Sequence, residues 1–237
     1  SHFLLSCLPE WRPFPAILRG KVRLEKSGST NPVAVGDIVR FLASDEVSEQ
    51  NPAIITEVLP RKNYLIRKST NLSRQSHVIA ANLDQAIIVA SLYFPELKMP
   101  FLDRILVTCE VYGIPAVIAL NKVDLYREAA FEQFRSFVDI YTKAGYRVIP
   151  TSARTREGVD ELRQLCHDKV SLFSGESGVG KSSLVKSIDP SLDPRVGKIS
   201  SAHLQGKHTT SLYEMYPVSS GGFLVDTPGI RGFGLVD

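Results

Sequence analysis

From Leu83 onward, continuous apolar runs alternate with segments whose apolar residues recur every three or four positions. The runs at 85–91, 114–120, 146–150 and 169–174 are short and mostly apolar, as strands buried on both faces should be. Between them, 101–112, 129–144 and 159–167 carry a helical period, and 182–188 starts another helix. A hairpin is expected from 211–217 and 222–226, turned at Ser219-Ser-Gly-Gly222. Strands alternating with helices predict a mostly parallel sheet covered on both sides. Residues before about 80 pattern differently. Short strands are expected at 22–24, 37–41, 53–58 and 64–67, with turn residues between them and no helical period. That is the texture of a small all-β barrel, of which the oligonucleotide-binding (OB) fold is one candidate. No clear first strand precedes Trp11, so an incomplete barrel is expected.

Three motifs and one supporting loop add chemistry. Gly175-Glu176-Ser177-Gly178-Val179-Gly180-Lys181-Ser182-Ser183 fits the phosphate-loop pattern between a strand and a helix. Its glycines let backbone N–H groups curl around phosphate oxygens at a helix N-terminus. Lys181 should reach the β- and γ-phosphates, and Ser182 should ligate Mg²⁺. Asn121-Lys122-Val-Asp124 follows an apolar strand. The Asp124 carboxylate can accept from the N1 and N2 donors of guanine, which adenine lacks. Asn121 would tie neighbouring loops and the Lys122 stem would cover the base. Thr151-Ser152-Ala153 suits a loop whose Ala153 N–H contacts the guanine O6. Asp226-Thr-Pro-Gly229 closes the last strand. Asp226 would hold Mg²⁺ through water, and the Gly229 N–H would sense the γ-phosphate. Alone, each of these motifs is also an ordinary turn; together they describe a guanine-nucleotide site.

Their order is unusual, because the base-reading motif normally comes last and here comes first. Moving the last four elements in front of the first restores a Ras-like order. The expected fold is therefore α/β: an N-terminal all-β OB barrel over 1–80, read as RNA-binding, and a circularly permuted Ras-like P-loop GTPase domain over 81–237. The stretch Cys166-His-Asp-Lys169 would join what are ordinarily the two termini.

Charge changes the picture little. The chain of 237 residues carries a net +3, and residues 1–80 hold eleven Lys/Arg against seven Asp/Glu. Arg61, Lys62, Tyr64, Arg67 and Lys68, with Arg74 nearby, form a basic strand-turn segment with one aromatic, equally a surface for RNA or a solvated hairpin. No apolar run reaches the ~18 residues that span a membrane. Cys7, Cys109 and Cys166 are far apart and suggest neither disulfides nor zinc, which points to the cytoplasm.

In this combination the chain resembles the bacterial small-ribosomal-subunit-dependent GTPases (RsgA/YjeQ type). The resemblance rests on Asn31-Pro-Val-Ala-Val-Gly-Asp37, Arg61-Lys-Asn63, the three nucleotide motifs and Gly206-Lys-His-Thr-Thr210. It implies late assembly of the small ribosomal subunit, slow GTP hydrolysis stimulated by that subunit, rRNA as a partner, GTP/GDP and Mg²⁺ as ligands, and a monomer. Zinc is expected only in the family's C-terminal domain, whose Cys/His cluster these residues do not contain. The position that carries a water-orienting glutamine in Ras-like enzymes is Ile230 here. The resemblance implies that His208 substitutes for it, beside Thr209 and Thr210, one of which would ligate Mg²⁺. One other reading stays open, a GTP-dependent RNA-binding module; the N-terminal barrel argues against a third, a permuted GTPase working on the large subunit or elsewhere.

Overall fold

The computed structural model describes residues 2–18, 32–68, 76–192 and 214–226. The chain divides into two compact units, Ser1–Asn82 and Leu83–Asp237.

In the first unit, strands β1 (His2–Leu5), β2 (Phe14–Leu18), β3 (Val39–Leu42) and β4 (Ala53–Val58) form a sheet in the order β1-β2-β4-β3, and β5 (Tyr64–Lys68) pairs with β6 (Ser76–Ala81). The expectation of no strand before Trp11 is corrected: β1 runs antiparallel to β2. Its four residues alternate outward and inward, so Phe3 and Leu5 reach the small core of Ala16, Ala53 and Ile55. So short an edge strand leaves little pattern in a sequence. The strand expected at 22–24 lies outside the described residues.

In the second unit six strands line up as β11-β12-β10-β7-β8-β9: β7 (Gln85–Ala90), β8 (Ala116–Leu120), β9 (Arg147–Pro150), β10 (Val170–Gly175), β11 (Glu214–Pro217) and β12 (Phe223–Asp226). All neighbours are parallel except β11 and β12. Counted from β10 as the first strand, the spatial order reads 2-3-1-4-5-6. Helices α1 (Met99–Val111), α2 (Val123–Tyr126), α3 (Phe131–Lys143), α4 (Val159–Cys166) and α5 (Lys181–Ile188) connect them. Every residue of β7 is buried. Ile87 and Val89 pack in one core with Val159, Leu162, Leu184 and Val185 of α4 and α5. On the opposite side α1 and α3 are joined by the Tyr141 hydroxyl, which donates to Asp103 Oδ1 at 2.7 Å.

One expected helix resolves differently. The segment 129–144 begins its helix at Phe131, because Ala130 sits at φ −129°, and the one-turn α2 precedes it. The hairpin turn packs on the connection between β9 and β10. A Cβ on Gly222 would lie 2.5 Å from the Lys169 carbonyl, and Phe223 N–H donates to that same carbonyl at 2.8 Å. The residues that join the transposed halves are thus held under the β11–β12 turn.

Candidate functional site

The carboxyl ends of β10 and β7 lie side by side, where chain order reverses in the sheet. Crevices of this kind are where open α/β sheets bind ligands. Three loops meet there, after β8, β9 and β10.

Asn121 holds them together. It is 1% exposed. Its Nδ2 donates to the Val179 carbonyl at 2.9 Å, its Oδ1 accepts from Thr151 Oγ1 at 3.2 Å, and its carbonyl accepts from the Tyr126 hydroxyl at 2.8 Å. Burial pushes the Tyr126 phenol up to about 12, so it remains a donor at neutral pH. A buried amide with both ends bonded fixes the spacing of two loops far more strictly than apolar contact could. Lys122 adopts a left-handed backbone at φ 64° and sends Nζ across to the Gly178 carbonyl at 2.6 Å and to the Phe94 carbonyl.

The Gly175–Gly180 loop follows β10 and opens α5. Gly178 and Gly180 sit at φ 86° and 90°, values that L side chains rarely adopt. A Cβ on Gly180 would come within 2.6 Å of Asn121 Nδ2, so the same glycine that turns the chain also admits the amide. Glu176, Ser177 and Gly178 form the outer part of the loop, and Val179 is buried beneath it. Lys181 begins α5 and pairs with Asp226 at the end of β12; their side chains are 11% and 16% exposed. Ser182 and Ser183 follow in the first turn.

Asp124, in the first turn of α2, faces the loop after β9. A hydrogen bond from Ser152, with a further contribution from the Arg154 guanidinium, holds its carboxyl below the usual carboxylate range despite partial desolvation. Ser152 is wholly buried and Ala153 half-buried beside it. The crevice therefore has cations and backbone donors at one end and a fixed carboxylate at the other, with Lys122 spanning the gap.

The family model described as RsgA GTPase matches residues 58–236. The small ribosomal subunit biogenesis GTPase RsgA of Bacteroides fragilis is 46% identical over 220 residues, covering 93% of this chain and 70% of that protein. The protein of the same name from Porphyromonas gingivalis is 41% identical over 240 residues, covering 100% of this chain and 75% of its own length. The chain belongs to the RsgA GTPase family. It is a GTP-hydrolysing enzyme. Among solved structures, YjeQ from Thermotoga maritima superposes with a TM-score of 0.69 at 33% identity, over 92% of this chain and 67% of its own. YloQ, a circularly permuted GTPase, shares the fold with a TM-score of 0.65 at 24% identity, over 98% of this chain and 69% of its own.

With the family fixed, the predicted site residues sort themselves. Asn121, Lys122, Asp124, Ser152, Ala153, the loop from Gly175 to Ser183 and Asp226 are gathered in one crevice. His208, Thr209, Thr210 and Gly229 lie outside the described residues. Two residues carried no expectation, one in the site and one outside it. Arg154 grips Asp124, and its place directly after Thr151-Ser-Ala153 was the available signal. Asp189, 2% exposed at the end of α5, accepts from Ser191 N–H at 2.9 Å and from Ser219 N–H in the hairpin turn at 2.7 Å. Only its first partner is legible locally, as an Asp-Pro-Ser turn.

One expectation is corrected. Arg61 is no free phosphate-binding cation: Nε and Nη2 bond the two Asp37 carboxylate oxygens at 2.6 and 2.7 Å, with the side chains 13% and 1% exposed. Around this pair, Asp37 Oδ2 accepts from Ala34 N–H, and Asn82 bonds the Gly36 carbonyl and the Lys62 N–H. A Cβ on Gly36 would fall 2.1 Å from the Ala81 carbonyl. These residues of the resemblance are a loop junction within the first unit.

Proposed function

We propose that this enzyme hydrolyses GTP as a step in biogenesis of the small ribosomal subunit, the role printed in the names of its relatives. The observation that carries the nucleotide assignment is the 2.9 Å bond from Asn121 to Val179, which sets a guanine-type carboxylate and a phosphate loop in one crevice. Backbone N–H groups of 176–181 and the Lys181 ammonium hold the phosphates; Asp124, with the Ser152–Ala153 loop, reads the base; Lys122 covers it. The residues fit Mg²⁺ as well, since Ser182 and Asp226 flank Lys181 at the phosphate end. There the ion would neutralise charge on the β- and γ-oxygens. The switch threonines Thr209 and Thr210, the Gly229 N–H and His208 as water-positioning group complete the proposal. Lys181, now paired with Asp226, exchanges that partner for phosphate when nucleotide enters. The first unit, read as an OB-type barrel, contacts rRNA, and its candidate cations exclude Arg61. The enzyme works as a cytoplasmic monomer. None of the described helices is long and apolar enough to cross a membrane.

GTP turnover with and without purified small subunits tests this reading. Stimulation by the small subunit alone is expected. Binding of GTP with no stimulation would favour an RNA-binding module whose hydrolysis is incidental.

A further inference from the structure

Guanine offers N1–H and an exocyclic amino group from a single carbon. Chemically that edge is a guanidine. In this structure Asp124 already holds one: Arg154 Nε and Nη2 both lie 2.8 Å from Asp124 Oδ2. The two partners differ sharply in exposure. The Asp124 side chain is 10% exposed and pinned on α2, whereas Arg154 is 72% exposed at the end of a long stem. Arg154 also follows directly on the loop proposed to contact guanine O6, so its guanidinium engages the same carboxylate that would read the base.

We propose that Arg154 is a built-in stand-in for guanine, occupying the base-reading carboxylate in the nucleotide-free enzyme and being displaced by guanine nucleotides. This rests on the reading of Asp124 as the guanine acceptor. The contact keeps a largely buried carboxylate paired until a guanine nucleotide takes its place. It also competes with the product, because Arg154 returns as GDP leaves. Adenine presents no donor pair on that edge and cannot displace the arginine, which adds to discrimination against it. An ion pair with one exposed partner is worth up to about 1 kcal/mol, so its removal should tighten guanine-nucleotide binding by up to about fivefold. Salt screens the pair and should narrow that gap.

Binding and release of fluorescent GDP and ADP test the proposal on the full chain, comparing the parent with Arg154→Ala, Arg154→Lys, Asp124→Asn and the double variant Asp124→Asn/Arg154→Ala. Arg154→Ala should tighten GDP by up to about fivefold and slow its release, less so at high salt, with ADP unaffected. Arg154→Lys should fall between, since an ammonium keeps the charge without the donor pair. In the Asp124→Asn background the arginine should no longer matter. Unchanged or weakened GDP binding in Arg154→Ala would overturn the stand-in, as would equal changes for GDP and ADP. If Asp124→Asn itself leaves GDP binding intact, the guanine reading of Asp124 fails, and the proposal with it.

Discussion

Each unit of this protein contains a charge pair at a loop junction, and the two pairs differ in where their partners sit. Asp37 and Arg61 are both largely enclosed and satisfy each other with two parallel bonds. Asp124 is also largely enclosed, at 10% exposed, but its arginine is almost three-quarters exposed. A carboxylate with two fixed partners is part of the scaffold. A carboxylate whose fixed neighbours leave room for an exchangeable donor is positioned to accept a ligand. The exposure of the partner separates structure from recognition more clearly than the presence of a salt bridge does.

The largest effect should come from breaking the enclosed pair. Arg61→Ala leaves Asp37 buried without its counter-charge, which costs about 3 kcal/mol, the low end for such a loss because Arg61 retains some exposure. Denaturant unfolding of the first unit should register it, with GDP affinity unchanged. Arg61→Lys should not restore stability, since one ammonium cannot make both bonds.

Asn121→Ala should come next. It strands the Val179 carbonyl and removes the bond to Thr151, costing about 1–3 kcal/mol. Here the loss should fall on function as well: GDP binding weakens while the first unit unfolds at its usual denaturant concentration. A variant that lost stability but kept nucleotide affinity would erase the distinction between the two junctions.

The smallest effect concerns pH. Burial opposes ionisation of Asp189, but bonds from Ser191 and Ser219 prevail and hold its folded-state value below the ordinary one. A depressed carboxyl contributes stability that is present above the unfolded value of about 3.9 and lost as pH falls through the folded one. Asp189→Asn should therefore flatten the acid limb of stability against pH below about 4, measured on thermal unfolding, and leave the neutral region nearly level.

Much of the second unit was legible because its strands are continuous apolar runs and its loops carry motifs with fixed chemistry. The partnership of Asn121 with the phosphate loop followed from motif type alone. Arg61 misled because a lysine- and arginine-rich stretch looks the same whether its charges are free or paired, and Asp37 lies 24 positions away. Strand β1 was illegible for another reason: four residues at a sheet edge depend on β2 for their conformation, so little local signal exists. Arg154 leaves only its place directly after Thr151-Ser-Ala153 as a signal, because an arginine that folds back onto a carboxylate 30 residues earlier has no local pattern.

The central claim is that Asp124, in the crevice assembled by Asn121, selects guanine. Hydrolysis of GTP and of xanthosine triphosphate, each measured separately in the parent enzyme and in Asp124→Asn, tests it most directly. Xanthine carries a carbonyl where guanine carries its amino group, and an asparagine amide can donate to it. The account predicts that the parent hydrolyses GTP and the variant xanthosine triphosphate, with GTP binding lost in the variant. The same preference for GTP in both proteins would contradict it.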